Sequence, residues 1–434
     1  MDFRPSSPGY EWQTFAVGPE HPYSQGTALF LAAGMGPRLL PQLKEMAERW
    51  RYPLDELLLT RAGFLATLLA VNRLNREDYF VLPPGFEADP RSANEGALEG
   101  EDTPIVDVHV HVAWREGGFE LGKNVTPRGM NWVNMIDGAG KLFVGWKNGI
   151  RDLNADTFHE AVFNRSATDM AFIVGYQFDE DFGGKNMNPI EELNAIRARW
   201  PDRVKLWGPG GTPNQGVEKT LDRIDALAAQ YPLAGLKFFP FDATPERGWF
   251  CDDTRLAYPI WERCEKLGIK FVSLDKGMPI GAYLARFRHP EDLDAASLDF
   301  PNLNFICFHA AYPYHQELVQ LVEAKRPWRQ NLLCDLASTF ASLVTGRPLE
   351  CAHVVGMMLR AFGPEKVLWG TDAINWGSPQ WQIEAFRRFQ IPEQLVNGLG
   401  YPQLTPDIRA KVLGGNATRL WNLDVPAPPP RRRT

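Results

Sequence analysis

Cysteine is scarce in this chain of 434 residues. Cys251, Cys264, Cys307, Cys334 and Cys351 are the only five, none forms a CxxC pair, and the number is odd. This argues against a disulfide framework and for unpaired, mostly buried thiols in a reducing compartment. No run reaches the ~18 apolar residues a membrane-spanning helix needs. The best, Ala62–Val71, is too short, and it lies too far from Met1 to be the core of a signal peptide. Charge of one sign is also lacking: 46 Lys+Arg stand against 53 Asp+Glu, a net −7, which offers no basic footprint for nucleic acid. No GxGxxG loop follows any apolar run, which weighs against an open dinucleotide-binding sheet. The expectation is a cytoplasmic protein acting on a small-molecule substrate, with no nucleic-acid or membrane partner, and compatible with a homodimer.

What is present is a large core. At 44% hydrophobic residues the chain can fill a barrel of ~250 residues or more with an added segment. Residues 1 to about 30 are rich in Pro, Gly and aromatics and show no period. From Arg38 to Asn75 the apolar spacing is helical, and Arg51-Tyr52-Pro53 should break it into two helices. Residues 83–102 are polar and turn-rich. From Pro104 the rhythm changes to eight short apolar runs: Ile105–Val110, Met170–Val174, Val204–Trp207, Ala234–Phe239, Ile269–Leu274, Leu303–Phe308, Asn331–Leu336 and Lys366–Trp369. Amphipathic stretches such as Ala257–Leu267 and Glu317–Ala324 lie between them. Eight strand–helix units predict an α/β fold, a (β/α)8 TIM-type barrel, over 104–425. An N-terminal helical extension and connector occupies 1–103, and a disordered tail 426–434.

In such a barrel the chemistry sits where strands end. The first run ends Asp107-Val108-His109-Val110-His111. Alternate strand residues share a face, so His109 and His111 lie side by side, as a metal site requires. An ordinary strand carrying two histidines is the plain alternative. The fifth run ends in Asp275-Lys276-Gly277, the sixth in His309-Ala310-Ala311 and the eighth in Gly370-Thr371-Asp372. Singly, Asp372 could be a helix cap, His309 a satisfied buried histidine and Asp275 a loop carboxylate. Together they suit a divalent cation on two neutral imidazoles and a carboxylate, which acidifies bound water and polarises a carbonyl while a further side chain moves protons.

The segments DVHVH, FHAAYP, LWGTDAINWGSP and VLGGNATRLWNL, spanning about Pro104 to Leu423, resemble the amidohydrolase superfamily, closest to the branch of aminocarboxymuconate semialdehyde decarboxylase and related amidohydrolases. The resemblance implies one divalent metal ion, Zn or Mn, on His109, His111 and Asp372. His309 would be the acid or base beside it, and Asp275 and Asp372 would share the catalysis. One position departs from the pattern: the branch ends its fifth strand with histidine, and this chain has Asp275. Aspartate also binds Zn²⁺ or Mn²⁺, and a site of two His and two Asp would favour oxygen-loving metals and acidify water less. If Asp275 does not bind, the site is weakened or lost. Lys237 lies where binuclear relatives carry a carboxylated lysine; a plain lysine at a mononuclear site is the expectation.

Aromatics near the strand ends (Trp114, Tyr176, Trp207, Phe239, Trp249, Tyr312, Tyr314 and Trp376) would suit a flat or conjugated substrate, or would simply pack the core and lid. Arg115, Lys237, Lys276 and Arg247 are candidates to bind a substrate carboxylate, with Lys237, Arg115 and Trp376 expected to bind substrate. The expected reaction is hydrolysis of an amide, lactone or imine. Nonoxidative decarboxylation is the alternative, and a non-catalytic barrel with a degenerate metal site is a third reading.

Overall fold

The computed structural model describes residues 22–94, 103–112, 124–141, 152, 154–175, 189–241, 248–279, 284–324 and 330–425. Eight parallel strands run in sequence order: β1 (Val106–His111), β2 (Met170–Val174), β3 (Val204–Pro209), β4 (Leu233–Phe238), β5 (Phe271–Asp275), β6 (Asn304–Phe308), β7 (Leu332–Asp335) and β8 (Val367–Leu368). The ring closes where Val108 N donates to Trp369 O and Asp372 N to His109 O, with Val110 bridging Ala373. This is the (β/α)8 barrel expected. Its strands read as continuous apolar runs because helices cover one face and packed side chains fill the other.

The interior is filled by Val106, Val108, Phe172, Trp207, Phe271, Ile306, Phe308 and Leu368. Trp207 therefore belongs to the barrel core, its indole N–H donating to Val108 O at 2.9 Å, and does not line the mouth. Trp249 packs behind β4 against Phe238 and Trp261. The floor is closed by the helix Asn416–Trp421, whose Trp421 stacks on Phe271 at 4.2 Å and donates to Ala234 O. Here the GGNATRL segment finds its reason. A side chain on Gly414 would meet Pro104 O at 1.9 Å, so this turn lies directly against the chain entering β1. Asn416 donates to Pro364 O and Val367 O at the start of β8.

The N-terminal helices are α1 (Pro22–Ala32), α2 (Gly36–Trp50), α3 (Leu54–Leu58) and α4 (Arg61–Asn75). The break at Arg51–Pro53 falls as expected. A second, at Leu59–Thr60, was not foreseen: Thr60 turns out of the helix and its hydroxyl accepts from Gly63 N at 3.2 Å, starting α4 afresh. The helix α1 lies where no period was read. Nine of its residues are buried, so the sequence PYSQGTALFLA has no polar face to alternate with an apolar one. These helices pack on the barrel beside the helix Gln380–Arg388. There Glu384, nearly buried, takes both oxygens to Arg61 at 3.1 and 3.2 Å and one to Arg388 at 2.6 Å. No helix among the described residues is long and apolar enough to cross a membrane.

Candidate metal centre

Strand alternation does what the spacing implied: His109 and His111 both point inward at the C-terminal end of β1, their Nε2 atoms 3.2 Å apart. Asp372, just past β8, completes the group, with Oδ1 at 3.1 Å from His111 Nε2 and 3.8 Å from His109 Nε2. All three are buried, and among the described residues they form the one cluster suited to holding a metal ion. A tetrahedral ion with bonds of about 2.1 Å needs ligand atoms roughly 3.4 Å apart. The three observed separations bracket that spacing, so the donors fit a single divalent cation.

Two of the three donors, His109 and Asp372, are held from behind. Asp335, fully buried at the end of β7, accepts at 2.9 Å from His109 Nδ1 and so turns Nε2 toward the site. Its other oxygen accepts from the backbone N–H of His309 at 2.6 Å. Burial outweighs the pull of Asp335 and lowers the His109 imidazolium to about 4, which leaves the ring neutral, as a ligand must be. Asp107 clasps the first strand to the last: one oxygen accepts from the amides of His109 and Thr371 at 3.1 Å each, the other from the Thr371 hydroxyl. Burial pushes its carboxyl up to about 7. Asp372 has a left-handed backbone, φ 56°, of the strained kind that gathers at functional sites. Its carboxylate accepts from Asn375 Nδ2 at 3.2 Å and from the Ser338 hydroxyl. Burial acts to raise the Asp372 carboxyl, but the His111 hydrogen bond and the neighbouring imidazoles overcome it and hold the group below the usual carboxylate range.

Asp335 carries no rim signal in the sequence, because it lies inside the apolar run Asn331–Leu336, one residue before its end. Its role carries a prediction. Asp335→Asn should weaken Zn²⁺ binding roughly 10–100-fold while leaving the fold intact. Chelator competition measures this, and an unchanged affinity would remove Asp335 from the account.

The structure keeps Asp275 out of the three-ligand cluster. Its Oδ1 lies 3.1 Å from Arg288 NH1 and 3.6 Å from His309 Nε2, and its Oδ2 3.7 Å from Lys237 Nζ. Burial would raise its carboxyl, but Lys237 and Arg288 hold it well below the usual range. For His309, burial opposes the charged ring and Asp275 more than compensates, so its pKa is raised. Lys237 is fully buried against the Phe308 ring at 3.8 Å, and burial lowers it to about 8. Arg288 had no signal in the sequence, because its partner is set by the fold and not by spacing. Lys276 faces away from the site: its ammonium is bound to Asp292 at 2.6 Å and to Phe287 O at 3.1 Å, so it is not placed to meet a substrate. Trp376 sits on the Asp372 side, donating to Ser338 Oγ at 2.7 Å. Tyr312 is turned to Glu350 at 2.5 Å. Arg115, Arg247, Trp114, Tyr176 and the tail 426–434 lie outside the described residues.

An eight-stranded parallel barrel whose first strand offers two histidines and whose eighth delivers an aspartate defines a class of barrels built around a divalent cation at the C-terminal rim. Within that class the chain belongs to the amidohydrolase family, whose sequence model matches residues 106–423. Solved structures of similar fold include an uncharacterised TIM-barrel protein of Bordetella bronchiseptica, at 19% identity over 74% of this chain and 99% of that one, TM-score 0.49. A 5-carboxyvanillate decarboxylase of Sphingomonas paucimobilis is similar at 13% identity, 74% and 100% coverage, TM-score 0.47. An amidohydrolase of Burkholderia multivorans with bound zinc is similar at 15% identity, 74% and 99% coverage, TM-score 0.45. No curated protein matches the sequence.

Proposed function

We propose that the chain is a metal-dependent hydrolase acting on an amide, lactone or imine of a small, conjugated or aromatic substrate, with one Zn²⁺ or Mn²⁺ held by His109, His111 and Asp372. The observation that carries this reading is the convergence of those three ligand atoms within 4.8 Å, with Asp335 fixing the tautomer of His109. Bound there, the cation supplies Lewis acidity and water acidified toward neutral pH. His309 is the proton carrier beside it, its ring centroid 5.0 Å from that of His109 and its Nε2 facing Asp275. Asp275 orients that ring, favours its protonated form, and balances Arg288 and Lys237. Asp372 both binds and accepts a proton from the attacking water. Trp376 forms a wall for a flat substrate.

Decarboxylation is the second reading, favoured by the two buried cations Lys237 and Arg288 beside the site, whose charge suits a substrate carboxylate. Turnover in H₂¹⁸O separates the two. Hydrolysis places one ¹⁸O in the product and releases no CO₂. Stoichiometric CO₂ with no label in the organic product would reject the hydrolase and support the decarboxylase.

A further inference from the structure

The segment Asp372–Ser378 leaves β8, bends left-handed at Asp372 (φ 56°) and again at Gly377 (φ 76°), and enters the helix Gln380–Arg388. Its near end is fixed by the Asp107 clasp on Thr371. Its far end is fixed from outside the barrel. Gln25, buried in α1, accepts the Ser378 amide at 2.8 Å with its side-chain oxygen. The fit is close: a side chain on Gly377 would meet that oxygen at 2.4 Å, so the loop turns directly against Gln25. One residue on, a side chain on Gly26 would strike Phe64 and Trp381 at 2.6 and 2.7 Å, so α1 packs directly against α4 and the helix that follows the loop. Trp381 in turn donates to Trp376 O at 2.9 Å, Trp376 donates to Ser338, and Ser338 donates to Asp372 Oδ2.

We propose that Gln25, in the N-terminal extension, is a positioning residue for the metal centre: it anchors the loop that aims the Asp372 carboxylate, and the extension is thereby part of the site. The inference rests on Asp372 being a metal ligand. A buried amide that loses its acceptor is left unsatisfied, a penalty that the loop can relieve by shifting. Supports of this rank are worth roughly 10–100-fold in metal affinity.

The test uses the full chain and Co²⁺, read by its visible absorption. Gln25→Met keeps the buried volume and removes the acceptor, and should weaken Co²⁺ binding about tenfold or more with an altered band shape. Gln25→Glu restores an acceptor oxygen and should restore both. Leu43→Ala, a cavity in α2 remote from the loop, should lower the melting temperature and leave Co²⁺ affinity unchanged. Linkage adds a measurement on the unaltered chain: if Gln25 favours metal, metal favours the Gln25 contact, so Zn²⁺ should slow amide exchange in peptides covering 22–32 and 372–380 together. Gln25→Met binding like the parent, Leu43→Ala weakening Co²⁺ equally, or exchange in 22–32 indifferent to Zn²⁺ would each overturn the inference while leaving the metal site standing. A parent chain that binds no Co²⁺ would overturn the metal site and this inference together.

Discussion

Replacing His111 by alanine should empty the metal centre: below ~0.2 metal ions per chain after purification, against about one in the parent, with turnover abolished. His111 Nε2 stands between the other two donors, 3.2 Å from His109 and 3.1 Å from Asp372 Oδ1. Without it the site retains one imidazole and one carboxylate, too few to compete with hydration of the ion. The fold should survive, because His111 lies at the rim beyond the apolar filling of the barrel. His309→Ala gives the contrast. That ring faces Asp275 at 3.6 Å and stands outside the three-ligand cluster, so this variant should keep its metal and lose ~10²-fold or more in turnover. Metal analysis of the two variants side by side is decisive. Near-stoichiometric metal in His111→Ala would refute the ligand assignment, and loss of metal from His309→Ala would move His309 into the ligand set.

Much of this centre was legible in sequence for a physical reason. Strands buried on both faces appear as short apolar runs, so the first polar residues after each run mark the rim where chemistry gathers. His111, His309 and Asp372 stand at such positions, and His109, inside its run, is tied to His111 by strand alternation. The same logic failed for Asp335, whose run continued one residue further, to Leu336. It also could not tell a carboxylate that faces a metal from one that faces cations. Asp275 ends its strand as Asp372 follows its own, yet Arg288 and Lys237 claim it, and Arg288 arrives from a segment with no periodic signal. The helix α1 was missed because burial on all sides erases amphipathic spacing. GGNATRL was recognised as a family-like motif, but its work is to seal the barrel floor far from the metal.

Glu384→Gln should destabilise the protein by roughly 3–4 kcal/mol, a large fraction of the 5–15 kcal/mol by which native proteins typically outlast unfolding. Glu384 carries an almost fully buried carboxylate between two guanidiniums, with side-chain exposures of 4% for Glu384, 12% for Arg61 and 17% for Arg388. The neutral amide leaves two positive charges near the interior facing one another without a counterion, and the residual exposure of the arginines sets the estimate at the lower part of the range for broken buried pairs. With an unfolding entropy of about 2.1 cal/mol/K per residue, the melting temperature should fall by roughly 3–5 °C. The pH dependence has a definite sign. Burial acts to raise the Glu384 carboxyl, but Arg388 and Arg61 outweigh it and lower it below its ordinary value of 4.5. A carboxyl depressed in the folded state contributes its stability above the unfolded value and loses it as pH falls through the folded one. The gap between parent and variant should therefore be full at pH 7, begin to narrow below about 4.5, and close further in acid. Calorimetry of both chains from pH 7 to pH 4 measures it. A gap that stays constant or widens on acidification would show that the Arg61–Glu384–Arg388 charges do not hold the N-terminal helices to the barrel.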